Sequence, residues 1–138
     1  MSPEAKTILL VDDDESNRVL MKAAFFNARS MHALHFMGSG QAALDYLMQR
    51  GADPSAVWPD LIVLDLNMPG KDGFDVLIEI RQHEGLKEIP VVLLTGSNAA
   101  ADIERCGQFS KCEHILKPSR FVDLVELVKS IETRYLAA

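Results

Sequence analysis

The sequence predicts one α/β domain, a doubly wound five-stranded parallel sheet with helices on both faces. Five short apolar runs alternate with longer segments whose apolar residues recur at helical spacing. The first, third and fourth runs are continuously apolar, as strands covered on both faces must be. The chain has 138 residues, 48% hydrophobic and 25% charged, which is enough for one sizeable core and argues against disorder. Right-handed crossovers between successive strands then place helices on both sides of the sheet.

The first run is Thr7-Ile8-Leu9-Leu10-Val11. Ser16 or Asn17 offers a cap for a helix reaching about Ala28, with Val19, Leu20, Ala23 and Ala24 at helical spacing. A weaker second run, Ala33-Leu34-His35-Phe36-Met37, leads to Ser39, which can cap a helix carrying Ala42, Ala43, Tyr46 and Leu47. Gln49 to Trp58 contains the breakers Gly51 and Pro54, precedes Pro59, and reads as a surface loop. The third run is Leu61-Ile62-Val63-Leu64, with a helix expected from Gly73 to about His83. The fourth, Val91-Val92-Leu93-Leu94, precedes a helix from Asn98 or Ala99 to about Cys106. The fifth comprises Ile115-Leu116 and the residues just upstream, and Pro118 ends it. Ser119 is the expected cap of the last helix. There Phe121, Leu124, Val125, Val128, Ile131 and Tyr135 form one stripe, opposite Asp123, Glu126, Lys129, Ser130 and Arg134.

Bulk properties exclude several classes of function. A net charge of -6 with scattered basic residues does not suit a nucleic-acid surface. No apolar run approaches the roughly 20 residues needed to cross a bilayer. The segment Met1-Ser2-Pro3-Glu4-Ala5-Lys6 lacks the charged and apolar regions of a secretory signal, so the cytoplasm is the expected compartment. Cys106 and Cys112 have neither C-x-x-C spacing nor a His or Cys cluster, and are expected to be reduced and structural. His32, His35 and His83 lack partners at ligand spacing and are expected to be structural or surface residues.

Ligands of such sheets bind outside the carboxyl ends of the strands. Four of the five ends carry residues suited to phosphoryl chemistry: Asp12-Asp13-Asp14-Glu15 after the first run, Asp65 after the third, Thr95 after the fourth and Lys117 after the fifth. Taken singly, an acid run can be a solvated helix start, a threonine a turn residue and a lysine a surface charge. Asp65 ends a buried strand, where an unpaired charge is costly. Three convergent carboxylates, Asp12, Asp13 and Asp65, repel one another and suit a hard divalent cation. Mg²⁺ is the natural choice where phosphate is handled. The main-chain carbonyl near Asn67 can complete its shell. Lys117 offers a point charge to phosphoryl oxygens, Thr95 a hydroxyl, and a carboxylate can act as nucleophile to give an aspartyl-phosphate. Gly96 is compatible with close approach of phosphate and equally with a turn.

These residues resemble the receiver domain of bacterial two-component response regulators. The matching stretches are I-L-L-V-D-D-D at Ile8 to Asp14, D-L-I-V-L-D-L-N-M-P-G-K-D-G at Asp60 to Gly73, I-P-V-V-L-L-T at Ile89 to Thr95, and Lys117-Pro118. They cover about residues 6 to 135, in the family's order and spacing. The resemblance implies a flavodoxin-like strand order 2-1-3-4-5 and one receiver domain over residues 1–138 with no output domain. It implies phosphorylation of Asp65 and a metal site of Asp12, Asp13, Asp65 and the Asn67 carbonyl, holding Mg²⁺ with Mn²⁺ as a substitute. Thr95 becomes the switch hydroxyl, Lys117 the partner of the phosphoryl group, and Met68-Pro69-Gly70 the turn at the rim. The donor is then a histidine kinase or a phosphotransfer protein, and output passes through protein contacts. The N-M-P-G-K-D-G-F stretch, the insertion before Pro59 and the ending D-L-V-E-L-V-K-S-I-E-T-R-Y-L resemble single-domain regulators associated with phytochrome-type sensors. His114 departs from the family pattern, standing where an aromatic switch residue is usual; it either serves as that switch or is an ordinary surface imidazole. Val122 and Leu127, outside the main stripe of the last helix, either support self-association or widen its buried face.

Two other classes remain. A phosphatase with an aspartyl nucleophile wants a general acid two residues later, where this chain has Asn67, which cannot transfer a proton. A docking module never phosphorylated has no need of a costly acidic pocket. The expected protein is therefore a regulatory phosphoacceptor, catalysing only its own phosphoryl transfer and dephosphorylation.

Overall fold

A computed structural model describes residues 5–52, 58–96 and 99–137. Five parallel strands, β1 (Thr7–Val11), β2 (Ala33–Met37), β3 (Leu61–Leu64), β4 (Val91–Thr95) and β5 (Cys112–Leu116), lie in the order β2-β1-β3-β4-β5. The helices are α1 (Glu15–Asn27), α2 (Gly40–Ala52), α3 (Gly73–Gln82), α4 (Ala100–Gly107) and α5 (Phe121–Ile131), and a π-helical turn, Glu132–Leu136, continues the last. Both the fold class and the strand order expected from the sequence are found.

Period-two alternation sorts the central strands into two cores. Leu9, Val11, Ile62, Leu64, Val91 and Leu93 face one way and pack with residues of α2, α3 and α4. Ile8, Leu10, Leu61, Val63, Val92 and Leu94 face the other way, onto α1, α5 and the π-helical turn. Because β1, β3 and β4 are covered on both faces, they read as unbroken apolar runs, and their carboxyl ends converge on one edge of the sheet.

Several local expectations are corrected. The N-cap of α1 is Asp14, not Ser16 or Asn17: its carboxylate accepts from the N–H groups of both, and a carboxylate outbids a hydroxyl at that place. The buried face of α1 is Met21, Ala24 and Phe25, while Val19 and Leu20 are exposed. Helix α2 runs through Ala52, so the expected loop from Gln49 begins later than anticipated, and residues 53–57 lie outside the described part. Ser39 does cap α2, accepting from the Ala42 N–H at 3.0 Å. The last helix is preceded by Arg120, not Ser119, in the cap position, without a side-chain cap bond. Phe121, expected in its buried stripe, is exposed, whereas Leu127 packs partly on the core, leaving Val122 as the exposed member of that pair. Of the α4 start, Asn98 lies outside the described residues, and Ala99 is the cap residue.

Candidate functional site

Every side chain singled out at a strand end lies at the same edge of the sheet. Asp12 follows β1 and is almost fully buried. Its N–H donates to the Met37 carbonyl of β2, one of its carboxylate oxygens accepts from the Asp14 N–H at 2.9 Å, and its own carbonyl accepts from Arg18 Nη1 at 2.7 Å. The residue is therefore held at its carbonyl, amide and carboxylate. Asp13 is exposed beside it. Asp65 follows β3, its N–H donating to Val11 of β1 at 2.9 Å, so the two strands deliver their acids in register. Oxygens of Asp12, Asp13 and Asp65 lie within 4.8 Å of one another.

The other strand ends complete the pocket. Lys117 Nζ stands 3.5 Å from Asp12 Oδ2, and its backbone N–H donates to the Thr95 carbonyl at 2.7 Å, tying the end of β5 to that of β4. Thr95 is fully buried, and its hydroxyl accepts from Asn67 Nδ2 at 3.4 Å. The Asn67 N–H donates to Asp65 Oδ1 at 3.3 Å. Gly96 is exposed, and a Cβ there would meet nothing within 4 Å, so packing does not demand a glycine at that position.

Electrostatics single out Asp65. Burial, then the Asp12 carboxylate, push its carboxyl from the ordinary 3.8 up to about 6, against the opposing pull of the Asn67 N–H and Lys117; Asp13 adds to the rise. A raised carboxyl in an all-oxygen cluster signals a shortage of positive charge. One lysine at 3.5 Å does not supply it, and a hard divalent cation on these carboxylates would. The donor set fits such an ion.

Two residues without an assigned role in the sequence matter here. A Cβ on Gly73 would lie 2.8 Å from the Asp65 carbonyl and 2.9 Å from Leu66 Cα, so only glycine lets α3 start against the loop that follows β3. The available signal was its place directly after the Asp72 cap, which forms a capping box with Asp75. Arg18 was the other; nothing in a helix-surface arginine announces a bond to the carbonyl of Asp12. Gly70, directly after Pro69, takes the left-handed φ of 74° that favours glycine. His114 lies on β5 opposite Leu93, with Nε2 buried and without a hydrogen-bond partner among the described residues. The geometry attaches it to the strand beyond Thr95 and not to the acidic pocket.

The comparisons agree with this geometry. A family model described as the response regulator receiver domain matches residues 8–129. The chain is 37% identical over 131 residues to response regulator Rcp1 of Synechocystis sp., spanning 95% of this chain and 89% of that protein. Among solved structures it resembles the phosphorylated cyanobacterial phytochrome response regulator RcpA, with a TM-score of 0.85 and 38% identity over 96% of this chain and 95% of that one. It also resembles the Mn(2+)-bound form of Rcp1, with a TM-score of 0.81 and 37% identity over 95% and 94% of the two chains.

Proposed function

The chain belongs to the response regulator receiver family, and we propose that it is a Mg²⁺-dependent switch whose phosphoacceptor is Asp65. The observation that carries this reading is the convergence of Asp12, Asp13, Asp65, Thr95 and Lys117 on one edge, from four strands. In the transfer a carboxylate oxygen of Asp65 attacks the phosphorus of a phosphohistidine. The new P–O bond forms as the P–N bond breaks, and its electron pair leaves with the imidazole nitrogen. A bound divalent cation would supply positive charge against the charge that develops in the transfer. Asp12, Asp13, Asp65 and the Asn67 carbonyl are the groups that would hold it, with Mn²⁺ able to substitute.

The chain's own groups do the rest. Lys117 moves from Asp12 to the phosphoryl oxygens, a shift made easy by the long 3.5 Å starting contact. The Thr95 hydroxyl, whose oxygen accepts from Asn67 at 3.4 Å, donates its hydrogen to the phosphoryl group. Gly96 leaves that approach open. Phosphorylation adds roughly -1.5 to -2 charges and three acceptor oxygens, and differential contact with them shifts the loop after β4 and the face of α4, β5 and α5. His114 on β5 is placed to follow that shift.

The donor is a histidine kinase or a phosphotransfer protein, and the likeness to phytochrome-associated regulators favours a phytochrome-type kinase. Its role is regulatory, exerted in the cytoplasm through protein contacts. The exposed Phe121 and Val122 at the start of α5 offer a face to a second copy. The test is intact mass after incubation with acetyl phosphate and Mg²⁺. One phosphoryl group should be gained by the wild type and by neither Asp65→Asn nor a chelated control. A folded, Mg²⁺-binding protein that gains none would instead be a docking module.

A further inference from the structure

Away from the acidic pocket, α4 and β5 bring two thiols together. Cys106 is buried in the last turn of α4, and Cys112, less buried, begins β5; their sulfurs are 2.7 Å apart. A disulfide bond is about 2.0 Å long, so the bond would need an approach of only about 0.7 Å. We propose that Cys106 and Cys112 form a reversible disulfide that fastens α4 to β5, with a small-molecule disulfide of the glutathione class as oxidant.

The close approach is built into the backbone. The turn between the cysteines is pinned at its start by the Gln108 and Phe109 N–H groups, which donate to Arg105 and Cys106 carbonyls at 3.1 Å. At its end Arg81 reaches over from α3. Its Nε donates to the Ser110 carbonyl at 2.9 Å, and its Nη2 to the Lys111 carbonyl at 2.8 Å. The Lys111 carbonyl also accepts from the Val91 N–H of β4 at 2.9 Å, and Lys111 itself is held at φ 50°. Thus three elements, α3, β4 and α4, fix the turn that sets one sulfur against the other. Cys106 packs in the core beneath α2, α3 and α4, and Cys112, partly buried, packs against it.

The exchange balances in two steps. Cys112, the less buried residue of the two, attacks the glutathione disulfide as a thiolate and releases one glutathione thiolate. Cys106, as a thiolate, then attacks the Cys112 sulfur of the mixed disulfide and releases the second. Two protein thiols lose two protons and two electrons, and the oxidant takes them up as two thiols. Burial raises both thiols above their ordinary range, so each is protonated at rest. The first attack therefore awaits an opening of α4, a helix of only eight residues. The second follows when α4 recloses and returns the Cys106 sulfur to its place beside Cys112.

A disulfide that the fold favours must be easier to form in the folded chain than in the unfolded one. The full-length protein is equilibrated in buffers of stepped reduced-to-oxidised glutathione ratio, with and without urea, then acid-quenched for intact mass and non-reducing peptide mapping. The expected product is one species lighter by two hydrogens, linking the Cys106 and Cys112 peptides and reversed by dithiothreitol. It should be half-formed at a ratio at least about tenfold more reducing in the folded than in the urea-unfolded chain. Cys106→Ser and Cys112→Ser should each stop at a glutathione adduct. Exchange of the α4 backbone amides should be several-fold slower in the cross-linked protein. The proposal is overturned by glutathione adducts that persist on the folded wild type, by a folded midpoint no more reducing than the unfolded one, or by unchanged α4 exchange. None of these readouts requires phosphorylation of Asp65, so they stand or fall separately from that reading.

Discussion

Asp65→Asn should stabilise the metal-free protein, because the native fold is strained by the charge that the substitution removes. The Asp65 carboxyl is raised from 3.8 to about 6 by burial and by Asp12. About two units correspond to about 3 kcal/mol of penalty on the ionised form. Asp65 is only partly buried at the mouth of the pocket, so solvent screening lowers the expected gain to about 1–2 kcal/mol. The sign follows from linkage. Where the folded value exceeds the unfolded one, the native state binds more protons between the two, and stability falls as pH rises from about 4 through about 6. The Asn variant lacks that fall. Its advantage should be full at pH 8, about a third as large at pH 4.5, and absent below both values. Asparagine keeps an oxygen for the Asn67 N–H, so no hydrogen bond is sacrificed. Urea denaturation in chelator at pH 8 and pH 4.5 measures the difference, and a third series in saturating Mg²⁺ should erase or reverse it, since the ion binds the acidic form. A variant no more stable than wild type at pH 8, or one equally favoured at both pH values, would refute the charge argument.

Gly73→Ala places a methyl 2.8 Å from the Asp65 carbonyl, against backbone that cannot yield cheaply, and should cost about 2–3 kcal/mol in urea denaturation while slowing acetyl phosphate uptake. Lys117→Met removes the cation that lowers Asp65 and pairs with Asp12, so calorimetry should show Mg²⁺ binding about threefold to tenfold tighter even as phosphorylation fails. Tyr135→Phe deletes the bond its hydroxyl donates to Glu113, at a cost of about 1 kcal/mol. Burial and Glu113 push the Tyr135 hydroxyl from 10 up to about 12. Its stabilisation should thus be present below pH 10 and lost as pH rises through about 12, together with a tyrosinate absorbance step absent from the variant.

What the sequence disclosed and what it concealed divide along one physical line. Strand ends were legible because a polar residue directly after a doubly covered apolar run has nowhere to go but the sheet edge; Asp12, Asp65 and Thr95 obey this, while Lys117 follows the edge strand β5. The face of α1 was not, because Val19, Leu20, Met21, Ala23, Ala24, Phe25 and Phe26 contain two overlapping helical stripes, and only the packed sheet chooses Met21, Ala24 and Phe25. Asp14 was absorbed into the acid run, yet it caps α1. Pairings across long stretches of chain left no trace either. His32, expected to be merely structural or superficial, accepts the Lys6 N–H on Nδ1 and meets Glu132 through Nε2 at 3.1 Å, joining the start of β1 to the π-helical turn. The juxtaposed thiols were hidden for the same reason: six residues apart says nothing until the helix, turn and strand between them are built.

The uneven strengths of the bonds around Thr95 suggest where a phosphoryl signal travels. The Lys117 N–H to Thr95 carbonyl contact, at 2.7 Å, belongs to the β4–β5 ladder's end and ranks among the firm backbone bonds, so the strands should not separate. The Thr95 hydroxyl is held by Asn67 at 3.4 Å and the Lys117 ammonium by Asp12 at 3.5 Å, both at the weak limit of hydrogen-bond geometry. A phosphoryl oxygen on Asp65 offers each a shorter, charge-assisted partner, roughly twice as strong as a neutral one. The movement should therefore begin in side chains and in the segment after Thr95, with the sheet as fixed reference. Asp12 is immobilised by Arg18, Asp14 and Met37, so the acid opposite the acceptor cannot swing away to relieve its repulsion. That rigidity keeps the resting pocket short of positive charge, which makes it responsive to a cation and then to phosphate.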